Sequence, residues 1–390
     1  MTIYLDNAAT SYPKPQIVYD FTNDFFRNKT ANPGRGNHKL ARDSEDIINQ
    51  TRKKLANFFN VPDMNQIIYT YNTTDALNLG IKGILKKGDH VITTSIEHNS
   101  VLRPLFKLKN LGIIDFTIVC SDNKGLVDPK KIEKSIQSNT KLIIVNHASN
   151  VFGTVQKISE ISKIAKKHNI IFMVDAAQTA GLIEIDVTKD NIHLLAFAGH
   201  KSLLGAPGVG GLYISPNIEL DTFREGGTGI KSILTTQPPE LPTKYESGTL
   251  NVIGIASLNA ALDFINTHGI NNIYKHEMSL INYCYEKLKE IPEIIVYGAF
   301  GDDNIQKVPV LSFNFKKFDS LEAVTILDQD FDIAIRFGLH CAALAHDVIN
   351  TSHIGTLRVS PGFFNTFEHI DTLIKGIKSI ISEFKLNKIS

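Results

Sequence analysis

The first 250 residues alternate between short apolar runs typical of β-strands and longer amphipathic runs typical of helices. Parallel strands require such crossover segments, and helices then cover both faces of their sheet. The pattern therefore predicts an α/β fold with a mostly parallel, seven-stranded sheet. The seven strand-like runs are QIIYTY, HVITTS, DFTIVCS, TKLIIVNHAS, IIFMVDAAQ, IHLLAFAG and VGGLYIS.

A proline- and glycine-bearing stretch over residues 217–250 interrupts this alternation and has no apolar periodicity. Long irregular segments in compact domains usually carry a functional site, so we interpret it as a functional loop. Helix and strand patterns return after it. We therefore predict a large α/β domain over residues 16–250, and a smaller α+β domain formed by residues 1–15 and 251–390.

The composition is that of a soluble globular protein without a nucleic-acid or membrane partner. The net charge is only +1, so no electrostatic attraction to a phosphate backbone or an anionic lipid surface is expected. The amino terminus lacks a signal-peptide pattern, and no apolar run approaches the ~20 residues of a membrane span. An odd number of cysteines without pairing predicts a cytoplasmic location and leaves a thiol free to react: Cys120, Cys284 and Cys341.

Lys201 follows one strand-like run and precedes another, where a hydrated cation is unexpected unless it is paired, neutralised or covalently used. Asp175 ends the preceding strand-like run, 26 residues earlier. An Asp and a Lys at neighbouring strand ends are what pyridoxal phosphate requires, because the lysine forms a Schiff base and the carboxylate pairs with the pyridine nitrogen. At an effective dielectric of 20, charges about 4 Å apart attract by roughly 4 kcal/mol, or about three pKa units. The alternative is that Asp175 simply caps a helix over AAQTAGLI.

An anion site is predicted where a strand-like run meets the sequence NTTDAL. The first N–H groups of the following helix favour phosphate, and Thr73 and Thr74 add hydroxyl donors. His200, next to Lys201, could donate to the same group. His98 follows another strand and could stack on a flat ring and move protons near neutral pH. Helix capping by the threonines and a buried structural role for the histidines remain alternatives.

The carboxyl-terminal part contains a candidate nucleophile and a candidate carboxylate-binding residue. Cys341 lies beside His340 and near Arg336, and such neighbours increase the thiolate fraction of a cysteine. Arg358 lies among apolar residues, where a bidentate clamp on a substrate carboxylate or a structural ion pair would explain it. Cys341 could also be a plain buried cysteine. A metal site is a further alternative, although the ligand spacing fits no standard zinc pattern: His340, Cys341, His346 and His353.

Ten motifs resemble, in order, those of cysteine desulfurases of the class V aminotransferase-like family, which are fold type I enzymes that use pyridoxal 5'-phosphate. The resemblance covers nearly the whole chain, and the GLHCA context is similar to the SUF-type branch with a short, ordered cysteine loop. The motifs are YLDNAATSYPKP, NPGRGNHKLA, NTTDALN, SIEHNS, HASNVFGTVQ, VDAAQ, GHKSLLGAPGVGGLYI, YESGTLN, RFGLHCA and RVSPGFFNT.

The resemblance implies a role for each matching residue. Lys201 is expected to form the Schiff base, Asp175 and Gln178 to contact the pyridine ring, and His98 to stack over it. Members of the family are homodimers that convert L-cysteine to L-alanine, leave a persulfide on the nucleophilic cysteine and pass the sulfur to an acceptor protein, for example in iron–sulfur cluster assembly. The remaining expected roles are phosphate binding by Thr73, Thr74 and His200, phosphate binding in the other subunit by Thr249, substrate binding by Asn150 and Arg358, and nucleophilic attack by Cys341.

Two features separate this chain from the commoner pattern. Ala198 occupies the position where the family often has a Ser or Thr that binds phosphate. The residues that follow Arg358 in RVSPGFFNT also differ from the commoner alanine–serine sequence of the family. Selenocysteine is therefore an alternative substrate, which would place the protein among the selenocysteine lyases or related class V lyases. A metal-binding protein without pyridoxal chemistry is an alternative of another class.

Overall fold

A computed structural model of the protein describes residues 2–34, 36 and 38–387, so Arg35 and Asn37 of the NPGRGNHKLA motif lie outside the described residues. Its strands fall into three sheets and are numbered in chain order. They are β1 (Ile3–Tyr4), β2 (Ile67–Thr70), β3 (Asp89–Thr94), β4 (Ile114–Val119), β5 (Thr140–Asn146), β6 (Ile171–Asp175), β7 (Leu194–Ala198), β8 (Gly210–Ile214), β9 (Ile294–Tyr297), β10 (Leu311–Phe315), β11 (Ile333–Ala334), β12 (Arg336–Gly338) and β13 (Thr356–Val359).

Helices cover these sheets, and among the described residues none is both long and apolar enough to cross a membrane. A short 3₁₀ turn, Met64–Gln66, precedes β2. The helices are α1 (Gln16–Asn28), α2 (Lys39–Phe58), α3 (Thr73–Ile84), α4 (Asn99–Asn110), α5 (Pro129–Lys134), α6 (Ile158–Lys167), α7 (Val252–His268), α8 (Ile270–Lys289), α9 (Ser320–Phe331), α10 (Ala343–Val348) and α11 (Phe367–Asn387).

The central sheet has seven strands in the order β2-β8-β7-β6-β5-β3-β4. The seven strand-like runs of the sequence correspond to β2 through β8, so the predicted mostly parallel sheet is confirmed. β8 alone runs antiparallel to its two neighbours, β2 and β7. The carboxyl ends of the other six strands therefore meet at one edge, which is where ligands gather in open α/β sheets.

Both faces of this sheet are buried, as the continuous apolar runs require. One face packs with α2, α6 and α7 in a core that contains Phe59, Phe172 and Phe197. The other face packs with α3 and α4 around Leu77 and Met173. Consecutive residues of β6 thus point into opposite cores, which fixes the orientation of Asp175 at its end.

A second, antiparallel sheet has the order β12-β13-β10-β9 and forms its own core with α8, α9 and α11. The amino terminus joins this part of the molecule, because β1 pairs in parallel with β11 and Leu5 is buried in the same core. Residues 217–250 contain no helix or strand. Helix α7 packs against α1 and α2 in the core of the large sheet. We therefore propose that the large domain extends to the end of α7 rather than to residue 250.

A buried ion pair ties α2 to the end of the irregular stretch. Arg52 donates to both carboxylate oxygens of Glu246 at 2.7 and 2.9 Å, and the two side chains are 3% and 6% exposed. Glu246 also accepts the backbone N–H of Tyr69 at 2.7 Å. The Arg52 guanidinium lies 4.5 Å from the centre of the Tyr69 ring. Both carboxylate oxygens of Glu246 therefore have donors, and hydrogen bonds of this kind offset the cost of burying the charges.

Replacement of Arg52 by Met is expected to destabilise the protein by about 3–5 kcal/mol, because it leaves the Glu246 charge buried without a partner. Urea unfolding measures this loss. The matched control is Lys109→Met, which removes the exposed pair with Asp115 and should cost under ~1 kcal/mol. A loss of that smaller size for Arg52→Met would contradict the interpretation.

Candidate active site

One pocket at the carboxyl edge of the central sheet gathers nine of the eleven residues predicted from the sequence. Its cavity volume is about 210 Å³. Both domains contribute to its wall. The nine residues are Thr73, Thr74, His98, Asn150, Asp175, Gln178, His200, Lys201 and Arg358.

Lys201 and Asp175 lie in this pocket at the ends of adjacent strands, since β6 pairs with β7. Burial lowers the pKa of the Lys201 amine to about 8, with Asp175 opposing this shift and Arg358 and Arg336 adding to it. Burial raises the pKa of Asp175, and the N–H of Ala177 and the charge of Lys201 oppose that shift. An amine with this pKa exists partly in its neutral, nucleophilic form near neutral pH.

Asp175 does not cap a helix, although the sequence allowed that interpretation. Its Oδ1 accepts the N–H of Ala177 at 2.9 Å, and the following residues form consecutive turns instead of helix. A glycine at 181, with φ +98°, lies in the region that favours glycine and continues the turns. One carboxylate oxygen therefore fixes the side chain, and the buried carboxylate lines the pocket.

The amino terminus of α3 forms one end of the pocket. Asn72 caps this helix by accepting the N–H of Asp75 at 2.9 Å, so the threonines are not needed for that purpose. The Thr73 hydroxyl is buried without a hydrogen-bond partner, and Thr74 Oγ1 lies 2.7 Å from Ser100 Oγ. A free hydroxyl beside a helix amino terminus is suited to an anion. Ala198, by contrast, is 2% exposed and does not line the pocket.

His98 caps α4 through its ring. Nδ1 accepts the N–H of Ser100 at 3.1 Å, and the Ser100 hydroxyl lies 2.8 Å from the same nitrogen. Nδ1 is therefore unprotonated, and the remaining proton is on Nε2. Burial lowers the pKa of His98 to about 4, and the nearby cations Lys201 and Arg336 add to the effect. At neutral pH the ring is an uncharged surface against which a flat ligand can stack.

The amino-terminal segment holds the peptide that carries Lys201. The carbonyl oxygen of His200 accepts from Lys14 Nζ at 2.8 Å, from Ser11 N at 3.1 Å and from the Thr10 hydroxyl at 3.1 Å. The Ser11 hydroxyl donates to the Lys201 carbonyl at 2.9 Å and accepts from Lys14 at 2.6 Å. His200 Nδ1 lies 3.1 Å from the same Thr10 hydroxyl. Four donors thus converge on one turn.

Arg358 forms the structural ion pair that the sequence allowed, and its binding of a substrate carboxylate stays a prediction. One NH2 hydrogen pairs with Asp6 at 2.6 Å, and NH1 donates to the Asn150 carbonyl at 3.2 Å. Nε is buried without a partner. This nitrogen is a donor without an acceptor. Asn150 in turn donates to the His340 carbonyl at 2.6 Å.

Cys341 is exposed and lies beside the pocket, whose wall includes its neighbours His340 and Arg336. It is not a buried structural cysteine. Its carbonyl accepts the N–H of Asn99 at 2.7 Å, and Arg336 NH2 lies 3.8 Å from its sulfur. His340 and Cys341 both have positive φ, +48° and +58°. Consecutive residues in that region form a sharp turn, which presents the thiol outward.

Thr249 lies away from Lys201 in this chain. It lines a separate small pocket with Tyr71 and Arg224. Its expected role toward a second subunit therefore stays a prediction.

Sequence reasoning missed several residues that shape the pocket. Lys14, Ser11 and Asp6 were seen only as part of a family motif, and Ser100 and Asn146 were not singled out. The only local signal was position: Ser100 follows His98 by two residues, and Asn146 ends a strand-like run. Among the described residues no group of three or more His, Cys, Asp or Glu side chains could hold a metal ion.

Residues 3–373 match the protein family described as aminotransferase class-V. The chain belongs to this family. It is 36% identical to a probable cysteine desulfurase of Borreliella burgdorferi, over 98% of this chain and 92% of that protein. It is 35% identical to a probable cysteine desulfurase of Methanothermobacter thermautotrophicus, over 97% and 94% of the two chains.

Solved structures are similar over the same length. The apo structure of cysteine desulfurase from Thermococcus onnurineus superposes with a TM-score of 0.91 and 32% sequence identity, over 98% of this chain and 95% of that one. A cysteine desulfurase from Escherichia coli, solved in an S-sulfonic acid form, gives a TM-score of 0.87 and 27% identity, over 98% and 95%. The predicted fold class and family are thereby confirmed.

The charge on Lys14 makes the stability of the protein depend on pH. Burial lowers the pKa of Lys14 to about 7, whereas an unfolded lysine titrates near ~10.4. Between these values the unfolded chain binds more protons, so the stability of the wild type relative to Lys14→Met should rise as the pH increases from 7 to 9. Thermal unfolding of both proteins across this range measures the change.

The control for this prediction is Lys86→Met, which removes an exposed lysine paired with Asp221. Its difference from the wild type should stay constant from pH 7 to 9. If the difference in stability between the wild type and Lys14→Met is also constant across this range, Lys14 keeps an ordinary pKa and the prediction is wrong.

Proposed function

We propose that the protein is a pyridoxal-phosphate-dependent cysteine desulfurase, which transfers the sulfur of L-cysteine to Cys341 and releases L-alanine. The observation that carries the proposal is the position of Cys341 at the rim of a pocket that contains the Lys201–Asp175 pair. Membership of the class-V aminotransferase family, with relatives named cysteine desulfurase along almost the whole chain, supports it.

The residues of the pocket fit pyridoxal phosphate. The unpartnered Thr73 hydroxyl and the amino terminus of α3 suit a phosphate group. A buried carboxylate and a lysine of lowered pKa lie at neighbouring strand ends. Lys201 would hold the cofactor covalently, Asp175 and Gln178 would face its ring nitrogen, and His98 would lie against the ring. The phosphate would be held by Thr73, Thr74 and His200, with Thr249 of a second subunit.

Pyridoxal phosphate, when bound, supplies an electron sink that stabilises negative charge at the Cα of an amino acid. Lys201 supplies the proton transfer that this chemistry needs. Its amine, with a pKa of about 8, can take the Cα proton and later return a proton to the product near neutral pH. The clamp from Ser11 and Lys14 holds the Lys201 peptide while its side chain moves.

The substrate carboxylate would accept from the unpartnered Nε of Arg358. Asp6 accepts from NH2 of the same guanidinium at 2.6 Å and so fixes its position. Asn150 links this site to the cysteine, since its carbonyl accepts from Arg358 and its amide donates to His340. Carboxylate binding and placement of the nucleophile thus share one residue.

Cys341, as the thiolate, attacks the sulfur of the substrate. A sulfur–sulfur bond forms as the carbon–sulfur bond of cysteine breaks, which leaves a persulfide on Cys341, and protonation of the remaining three-carbon fragment yields alanine. The Arg336 guanidinium places a positive charge beside this sulfur. Because Cys341 is exposed, an acceptor thiol can reach the persulfide.

We propose further that the enzyme is a homodimer of the cytoplasm that delivers sulfur to an acceptor protein, as in iron–sulfur cluster assembly. The separation of Thr249 from the Lys201 pocket of its own chain supports a second subunit. The three cysteines are free, which suits a reducing compartment.

Replacement of Cys341 by Ala is expected to reduce sulfide release from L-cysteine by roughly 10²-fold or more, because no other thiol lies at the pocket rim among the described residues. Sulfide and alanine are measured together with a thiol acceptor present. The matched control is Cys120→Ala, which removes the other exposed cysteine and should leave the rate unchanged.

A comparison of the wild type with Cys341→Ala also distinguishes cysteine from selenocysteine as the substrate. Full activity of Cys341→Ala on L-cysteine would overturn the assignment of the nucleophile. Activity on selenocysteine that survives in Cys341→Ala, with little activity of the wild type on cysteine, would instead identify a selenocysteine lyase.

A further inference from the structure

Glu97 is a fully buried carboxyl group next to the pocket, and the mechanism above does not use it. Its side chain is 0% exposed. Oε1 accepts the Thr94 hydroxyl at 2.6 Å and the backbone N–H of Asn146 at 3.0 Å. Glu97 therefore joins the turn that carries His98 to the end of β5.

Two oxygen atoms at this junction have no donor. Glu97 Oε2 and Asn146 Oδ1 are both buried without a hydrogen-bond partner. The amide of Asn146 cannot be reversed to correct this, because its Nδ2 already donates to the Ile96 carbonyl at 2.5 Å. A buried acceptor without a donor costs free energy. A proton on Glu97 Oε2 would turn one of these two acceptors into a donor for the other, so the arrangement indicates that the carboxyl group is protonated.

No cation in the described part of the chain contributes to the pKa of Glu97. Among the described residues, the one charged group that acts on it is Asp175, a like charge on β6 whose Cα pairs with that of Asn146. His98 cannot serve as a counter-ion because its ring is neutral at pH 7. Burial, with Asp175 adding to the effect, raises the pKa of Glu97 to about 8.

We propose that Glu97 is a neutral carboxylic acid that shares its Oε2 proton with Asn146 Oδ1 and so positions His98 and Asn146 against the pocket. Asp175 then remains the single negative charge on this side of the site. The positioning role of Glu97 in the reaction rests on the proposed function. The claim that Glu97 is protonated does not depend on that function.

Protonation is tested first on the cofactor-free protein. Infrared difference spectroscopy of the wild type against Glu97→Gln should show one carboxylic-acid carbonyl band lost in the variant at pH 7. The matched control is Glu277→Gln, which removes another buried glutamate with a pKa raised by burial to about 8, on α8. It should remove a different band. If Glu97→Gln instead loses a carboxylate band and no carboxylic-acid band, Glu97 is ionised and the proposal is wrong.

Thermal stability gives a second readout with a defined sign. A folded-state pKa of about 8 against an unfolded value near ~4.3 means that the folded protein binds more protons between these limits. The wild type should therefore lose stability relative to Glu97→Gln as the pH rises from 5 to 8. A constant difference across this range would contradict a neutral Glu97.

The positioning role is tested on the cofactor-loaded enzyme at pH 7. Glu97→Gln keeps an acceptor for Thr94 and a donor for Asn146, so kcat/KM with cysteine should stay within about 3-fold of the wild type, whereas Glu97→Ala should lose roughly 10-fold or more. Equal damage in both variants would show that the site requires an ionised Glu97. Glu97→Gln could lose the carboxylic-acid band while the wild type shows no activity on cysteine. That result would refute the proposed function and leave the protonation of Glu97 established.

Discussion

The electrostatic coupling between Lys201 and the buried carboxyl group of Asp175, at adjacent strand ends, is the interaction on which the candidate site depends. Lys201 follows β7 and Asp175 ends β6, and apart from the half-buried Ile171 the residues of both strands are buried. The parallel arrangement places the two side chains at one edge, where each opposes the pKa shift that burial imposes on the other. Without Asp175, the amine would titrate even lower, and without Lys201 the carboxyl would be more readily neutralised.

The rest of the pocket is kept uncharged or positive. Burial lowers the pKa of His98 and His200 to about 4 and that of His340 to about 2, with nearby cations contributing in each case. Arg336 and Arg358 remain as permanent charges. Such a site favours anions, and both the phosphate of the proposed cofactor and the carboxylate of the proposed substrate are anionic. The proposed neutrality of Glu97 belongs to the same pattern, because it leaves negative charge only where a cationic ring is expected.

The sequence predicted the features that follow from strand ends. Strand-like runs mark their own carboxyl termini, and a parallel sheet brings these termini together, so the sequence alone predicts that Thr73, Asp175 and Lys201 share one site. Gln178 and Asn150 also follow strand-like runs, and the resemblance to a known family gives them their expected roles. These residues are found in the same pocket.

Contacts between distant segments could not be predicted in this way. The clamp on Lys201 comes from Ser11 and Lys14, about 190 residues away, and Arg358 pairs with Asp6 across 352 residues. Neither periodicity nor capping rules link such positions. The irregular stretch before helix α7 predicts that this helix belongs to the smaller domain, yet its apolar residues pack against α1 and α2. The turns after Asp175 likewise depend on tertiary packing, since Gly181 approaches the backbone of Ser202 so closely that a side chain would clash.

The most direct test of this site is the chemical identity of the residue that binds the cofactor. The protein is incubated with pyridoxal phosphate, reduced with borohydride, digested, and its peptides are analysed by mass spectrometry. We predict one modified peptide, with the added mass on Lys201, and no modification in Lys201→Ala. An unchanged intact mass after reduction, or modification confined to another lysine such as Lys14, would contradict the assignment of this pocket as a pyridoxal phosphate site.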